Sequence, residues 1–339
     1  MLEPIVECVP NISEGRDTEK VARIVEAVSQ LEGAYLLDVD SGVDVNRSVI
    51  TIVGAASKVY QACYRLIERA LLEIDMRQYT GIHPNLGAVD VCPFVPLQNV
   101  TLDQCSQLAE DLAEEISRDF KVPIYLYGAA AKTELHQSLS SIRSGGYVGL
   151  SEKLRQAEWQ ADFGAKHCFR RSGVLSIGAR RILLAYNVNL KTEELDTAKR
   201  IASRIRDKSK SSSSRLPACK AIAWHTPVFE CAQISMNLTN YKLTGLFEAF
   251  EACKREAAVE GLEIEGSELV GMLPLEALTD VGMKLVTRLG GQNNSPVSEL
   301  VDTAADYLGL NSCKPFIPSK QILEFRAAEL GLALNSITI

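Results

Sequence analysis

The sequence predicts an α/β (α+β) protein made of two ferredoxin-like-derived α/β subdomains, each a mixed sheet covered by helices. Three observations carry that expectation. Short apolar runs of period two alternate with amphipathic runs of period 3.6. The first half reads β-α-β-β-α-β, the split ferredoxin motif, followed by an added α-β unit. The pattern then restarts near residue 181, which divides the chain into 1–180 and 181–339.

Ile5–Val9 is a short apolar strand. Asp17 opens a helix carrying Val21, Ile24, Val25, Val28 and Leu31 at helical spacing, and Gly33 ends it. Tyr35–Val39 and Ser48–Val53 are β runs joined by a polar turn, Asp40 to Asn46. A second helix carries Val59, Cys63, Leu66, Ile67 and Ala70. A strand around Val89–Cys92 precedes a helix that opens on a capping box, Thr101 with Gln104, and shows the stripe Leu102, Cys105, Leu108, Leu112, Ile116. Pro123–Tyr127 is a further strand, and Gly128 to Gly178 is loop-rich. In the second half, a strand at Arg181–Val188 leads to a helix at Thr192–Ile205 and a low-complexity loop at Lys208–Ser214. Lys220–Trp224 and Gln233–Asn237 read as paired strands. A long helix from Thr244 to about Gly261, a strand at Leu269–Leu273 and helices around 276–289, 296–308 and 319–331 complete the pattern.

With 46% hydrophobic and 23% charged residues in 339, the chain has ample material for a core. Its formal net charge of −7 argues against nucleic acid as a partner. No run of about eighteen apolar residues is present, so no membrane span is expected. Glu3 and Glu7 occupy the N-terminus in place of a basic leader, which favours a cytoplasmic location. Nine scattered cysteines form no C-x-x-C pair, so no metal site is expected.

His83, one of four histidines, stands out as a candidate catalytic residue. It lies between Gly81 and Gly87 and is followed by Pro84, turn chemistry that exposes a side chain. An imidazole there can exchange a proton near neutral pH; capping the turn is the competing reading. Asp38 and Asp40 flank Val39 at a strand end and are expected on opposite faces; one carboxylate could orient an imidazole, raising its pKa, or close an Asx turn. Asn46 and Arg47, the candidate substrate-binding residues, precede the next β run, and Arg47 is a solvated strand end or a fork for a substrate carboxylate. Lys166, Arg170, Arg171, Arg180 and Arg181 form a local basic cluster for an anionic small molecule, or a solvated stripe. Asp162-Phe-Gly164 spells the kinase triplet without the other kinase motifs, and is discounted. His136 is expected on a helix surface and His225 at a strand end.

Several of these stretches together resemble glutamate formimidoyltransferase. They are Glu7-Cys-Val-Pro-Asn-Ile-Ser-Glu-Gly15, Leu37-Asp-Val-Asp40, Asn46-Arg-Ser48, His83-Pro-x-x-Gly-Ala-Val-Asp-Val-Cys-Pro-Phe94 and Val122-Pro-Ile-Tyr-Leu-Tyr-Gly128. The resemblance continues through Trp159, Asp162-Phe-Gly164, Gly178-Ala-Arg180, Ala185-Tyr-Asn-Val-Asn-Leu190, Gln233-Ile-Ser-x-Asn-Leu238 and Glu268-Leu-Val-Gly-x-x-Pro-Leu275. It implies a homodimer of two-subdomain chains with tetrahydrofolate, as co-substrate, held in a groove between the subdomains. It also implies a catalytic base at His83 assisted by Asp40. The folate segment it implies is Gly164, Ala165, Lys166, His167, Cys168, Phe169, Arg170, Arg171, Ser172 and Gly173. The transferase fused to a cyclodeaminase in animals would here stand alone. One departure is that Val174 and Leu175 occupy positions where the family pattern carries small residues, near the expected pterin approach.

The reaction so implied moves a formimidoyl group from N-formimidoyl-L-glutamate to N5 of tetrahydrofolate, with no metal. A formyl donor presents the same planar one-carbon unit, and a folate-binding protein without turnover could carry the same residues; sequence leaves these readings open.

Overall fold

The computed structural model describes residues 3–167, 170–209, 213–290 and 294–334. The described residues of Met1–Arg181 and Leu330–Ile339 make one compact unit, and those of Ile182–Glu329 make another.

In the first unit, β1 (Ile5–Cys8) and β2 (Asn11–Ile12) form one interrupted strand; Pro10 between them has no N–H for the ladder. Then come α1 (Thr18–Ser29), β3 (Ala34–Gly42), β4 (Arg47–Ala55), α2 (Ala56–Glu73), β5 (Val89–Gln98), α3 (Leu102–Phe120) and β6 (Ile124–Gly128). Three short helices follow, α4 (Glu134–Gln137), α5 (Leu139–Ile142) and α6 (Gly146–Lys153), and finally β7 (Leu175–Ala179). The interrupted first strand pairs antiparallel with β4 on one side and β5 on the other, and β3 lies outside β4. That is the expected β-α-β-β-α-β sheet. β7 joins β5 in parallel, and β6 joins β7 in parallel, which makes this sheet mixed.

Local chemistry sets the helices. The Asp17 carboxylate accepts from the Lys20 amide at 2.9 Å, capping α1. Thr101 and Gln104 cap each other's backbone amides at 3.2 and 2.8 Å, the reciprocal box expected for α3. Their apolar stripes, including Val21, Ile24, Leu66, Ile67, Leu112 and Ile116, bury against Val6, Ile50, Ile52, Phe94 and Ile177 on one sheet face. A smaller core on the other face holds Val91, Tyr125 and Tyr127 beneath Leu86, Ile142, Leu150, Leu154 and Val174.

The stretch expected to be loop-rich holds α4 to α6 and β7. Helices of four to eight residues are too short for a 3.6-residue period to register, and Ser176 and Gly178 disguise the strand. His136 is buried at 2% exposure and not on a helix surface. Its ring meets Tyr125 edge-on at 4.9 Å, and its Nδ1 lies 3.2 Å from Asp162 Oδ2. Asp162 also accepts from the Leu126 amide at 2.8 Å, so the Asp-Phe-Gly triplet fastens this loop to β6. β5 runs on through Pro93 and Pro96 because proline keeps its acceptor: the Pro93 carbonyl takes a bond from the Val9 amide at 3.2 Å.

The second unit repeats the motif as β8 (Leu184–Leu190), α7 (Leu195–Ile205), β9 (Cys219–Thr226), β10 (Cys231–Leu238), α8 (Leu246–Val259) and β11 (Ile264–Val270). Helices α9 (Leu275–Arg288), α10 (Val297–Leu308), α11 (Pro318–Gln321) and α12 (Leu323–Glu329) follow. The strand order is β11-β8-β10-β9, antiparallel throughout. A mixed sheet was expected in both units; the second lacks the added α-β unit that supplies parallel pairs to the first. The strand expected at Leu269–Leu273 begins earlier, at Ile264, because Glu265, Gly266 and Glu268 hide its start. Glu268 accepts from Asn187 at 3.1 Å and Gln233 at 2.9 Å, so the polar residues of these strands hydrogen-bond across one sheet face. The Lys208–Ser214 loop lies partly outside the described residues. Among the described residues, no helix is long and apolar enough to cross a membrane.

Val174 and Leu175 are both fully buried, one in each core of the first unit, and so belong to packing and not to a ligand approach. Leu175→Ala should cost about 2–5 kcal/mol in unfolding free energy, the usual range for a leucine cavity. Urea denaturation checks this; a loss under about 1 kcal/mol would remove β7 from the core.

Candidate active site

Gly87, in the loop between α2 and β5, is closely approached by backbone: an added Cβ would lie 2.3 Å from the Val174 carbonyl. Gly173, at φ +70°, faces it so closely that a Cβ would come within 2.0 Å of the Leu86 carbonyl. The two glycines form an isolated antiparallel bridge, flanked by bonds from the Val174 amide to Leu86 O at 3.0 Å and from the Ala88 amide to Ser172 O at 2.8 Å. Only glycine allows this approach. The end of the expected folate segment is thereby stitched to the loop that carries His83.

Beneath the loop lies Asp90, at the start of β5 and wholly buried. One carboxylate oxygen accepts from the Leu86 amide at 3.0 Å. The other is shared by Arg47 Nη1 at 2.5 Å and by Arg143, which α5 delivers at its C-terminal end. Burial alone would raise the Asp90 pKa, but the guanidiniums of Arg143 and Arg47 hold it well below the usual carboxylate range. Arg47 spends the rest of its bonding on Asn11 Oδ1 at 3.0 Å and Asn85 Oδ1 at 2.8 Å. It is thus a buried strut at the head of β4 and not a solvated strand end.

His83 sits half-buried above this pair, its Nδ1 2.8 Å from Asn85 Oδ1. Asn85 reaches down to Ser13 Oγ at 2.9 Å and to the Tyr79 hydroxyl at 3.1 Å. Burial, followed by the positive charges of Arg47 and Arg143, pushes the His83 pKa down to about 3, against the smaller opposing pull of Asp90. The imidazole is therefore neutral at physiological pH. The carboxylate that pulls the ring upward is Asp90, and burial with two guanidiniums outweighs it.

The other expected residues fall in several places. Asp38 and Asp40 share a sheet face and do not point to opposite ones, because residues two apart on a strand lie on the same side; the register Asp40 to Val49 and Gly42 to Arg47 makes it the face of Arg47. Asn46, at φ +46°, accepts from the Gly15 amide at 3.0 Å and donates to Thr80 O at 3.1 Å, tying two loops together. Gly164 turns at φ +81° and Ala165 follows half-buried; Lys166, His167, Arg170 and Arg171 are exposed, while Ser172 is buried. Arg171 anchors its stretch through Nη2 to Leu72 O at 2.6 Å, and the Tyr147 hydroxyl donates to the Arg170 carbonyl. Cys168 and Phe169 lie outside the described residues.

Sequence reasoning missed Asn85, Asp90, Arg143, Tyr79 and Ser13. Asn85 and Asp90 stand within the very motif that singled out His83, two and seven residues on. Nothing local marks Arg143, whose partner is 53 residues away. Among the described residues, one group could offer three metal ligands: Cys8, Cys63 and Cys92, with sulfurs within 4.8 Å of one another. They lie fully buried in the larger core; burial pushes the Cys8 and Cys63 thiols well up, while hydrogen bonds with those two bring the Cys92 thiol down to about 5.

Comparison with known proteins adds the following. Residues 5–180 match the family described as formiminotransferase domain, N-terminal subdomain, and residues 185–328 match the formiminotransferase domain. The chain is 40% identical over 334 residues to formimidoyltransferase-cyclodeaminase of Sus scrofa, covering 97% of this chain and 61% of that protein. It thus spans under two thirds of that relative. It is 39% identical over 277 residues to glutamate formimidoyltransferase of Streptococcus pyogenes serotype M1, covering 82% of this chain and 91% of that protein. For glutamate formimidoyltransferase of Thermoplasma acidophilum the figures are 40% over 297 residues, 87% and 96%.

Asp90→Asn should destabilise the first unit by about 3–5 kcal/mol, because it leaves two guanidiniums facing a neutral amide in a buried site. Urea unfolding measures this. A loss below about 1 kcal/mol would mean that the pair is not what holds the loop.

Proposed function

The chain belongs to the formiminotransferase family, and from that premise we propose that it transfers the formimidoyl group of N-formimidoyl-L-glutamate to N5 of tetrahydrofolate. The observation that carries the reading is a neutral, half-buried imidazole on a loop braced by a buried ion network. Two relatives that the chain covers almost end to end, named glutamate formimidoyltransferase, support the same reaction.

N5 of tetrahydrofolate is an amine of low basicity, and its attack on the amidine carbon forms a tetrahedral intermediate as the N5–C bond is made. His83 accepts the N5 proton, then delivers it to the glutamate nitrogen as that C–N bond breaks. The ring is unprotonated near neutral pH, as a general base must be, and gives the proton back readily once charged. Asp40, on the sheet face that carries Arg47, assists the imidazole. Arg47 and Asn46 act by holding the loops around it. Exposed Lys166 and Arg170 meet the anionic glutamate tail of the folate, within a segment whose far end is bonded to the His83 loop. The working form we propose is a cytoplasmic homodimer.

His83→Ala should lower kcat about 10²–10⁴-fold, the usual worth of a positioned acid–base, with little change in folate KM. Steady-state assays with tetrahydrofolate and formimidoylglutamate measure this; turnover within a few-fold of the parent would exclude His83 as the base. Reversal of Lys166 and Arg170 to Glu should instead raise KM for tetrahydrofolate, most for polyglutamyl forms, with kcat nearly unchanged. Added salt should shrink the effect, since exposed charges are screened over roughly 8–10 Å. If neither KM moves by more than about twofold, roughly 0.4 kcal/mol, the tail binds elsewhere.

A further inference from the structure

Which imidazole nitrogen serves as the base is decided by the hydrogen-bond polarity around Asn85. Arg47 can only donate, so the Asn85 atom 2.8 Å from its Nη1 must be the amide oxygen. The opposite end of the amide supports the same orientation. Ser13 commits its single hydroxyl hydrogen to Gly87 O at 2.6 Å, and Tyr79 directs its own to Val45 O at 2.9 Å. Burial raises the Tyr79 pKa to about 12, so that hydrogen is retained at physiological pH. Both hydroxyls thus present only lone pairs to Asn85, and the atom between them, at 2.9 and 3.1 Å, must be the amide nitrogen. The two ends orient the side chain independently.

Asn85 Oδ1 is also the atom 2.8 Å from His83 Nδ1. An oxygen can only accept, so Nδ1 must carry the proton of the neutral ring. We propose that Asn85 is a positioning residue that locks His83 in the Nδ1–H tautomer, leaving Nε2 with the lone pair that takes the N5 proton. The chain of constraint runs from Asp90 through Arg47 to Asn85 to the ring. Its consequence is kinetic: a ring in the other tautomer presents an N–H where the reaction needs a base. In a serine-protease triad, the wrong tautomer lowers kcat about 10⁴-fold.

The proposal rests on the reading of His83 as the base, but the tautomer can be observed without turnover. The experiment is ¹⁵N NMR of the full chain labelled at its four histidines, near neutral pH, with His83→Gln to assign the resonance. The expected spectrum shows His83 Nδ1 protonated and Nε2 bare. Asn85→Asp keeps an acceptor beside Nδ1 but adds a negative charge and sets an oxygen against the Ser13 and Tyr79 hydroxyls, so Nδ1 should stay protonated while the ring's pKa rises. Asn85→Leu should let the tautomers interconvert and lower kcat about 10²-fold or more, with KM nearly unchanged. A parent spectrum with Nε2 protonated, or an Asn85→Leu spectrum identical to the parent's, overturns the proposal. If Asn85→Leu does not fold, the parent and Asn85→Asp spectra still decide. An Nδ1–H ring in a protein whose His83→Ala variant still turns over would instead overturn the general-base reading and leave the tautomer assignment standing.

Discussion

The first unit depends on one buried carboxylate. Asp90 lies at the start of β5, and two guanidiniums converge on it, Arg47 from the head of β4 and Arg143 from the end of α5. Three elements distant in sequence are fixed at one point. A charge buried at 0% exposure is tolerable only because both oxygens are occupied, one by the arginines and one by the Leu86 amide. The same bonds fix the path of the loop from Leu86 to Asp90. The loop in turn accepts the end of the 164–173 segment through two glycines that no larger residue could replace.

The charge balance of that knot also sets the chemistry above it. Two cations against one anion leave an excess of positive charge, and His83 stands next to it. Burial of the ring, and then that excess charge, make the folded protein resist protonating it until far below the ordinary histidine value of 6.5. The unfolded chain takes that proton first as the pH falls, so His83 removes stability between about pH 6.5 and the folded-state value near 3, and contributes no pH dependence above that window. Such a cost at a single side chain is the kind that active sites carry.

Much of this was legible in the sequence, and the parts that were not share physical reasons. Long amphipathic helices announced themselves through period and caps, as Asp17 and the Thr101–Gln104 box do. The two β-α-β-β-α-β repeats followed from the order of elements. What sequence concealed was short or long-range. Helices α4 to α6 lack the length to show a period, and β7 owes its place to parallel partners on both sides. His83 could be singled out because glycine and proline frame it. The role of Arg47 could not, since an arginine at a strand entrance reads the same whether it meets solvent or a carboxylate 43 residues away. Arg143 had no local signal at all. Val174 and Leu175 appeared as intrusions on a ligand path because sequence cannot show that one precedes and the other opens a strand whose residues are buried in the two cores.

The central claim is that burial, together with the Asp90–Arg47–Arg143 knot, keeps His83 neutral and ready to accept a proton. A pH titration of the His83 ring by NMR tests it most directly, with the resonance followed from pH 8 down to the limit of the fold. The account predicts a flat response through the ordinary histidine range near 6.5, with any protonation appearing only as the pH approaches the value of about 3. A midpoint at or above 6.5 would show that neither burial nor the guanidiniums set the charge of the ring, and would contradict the account.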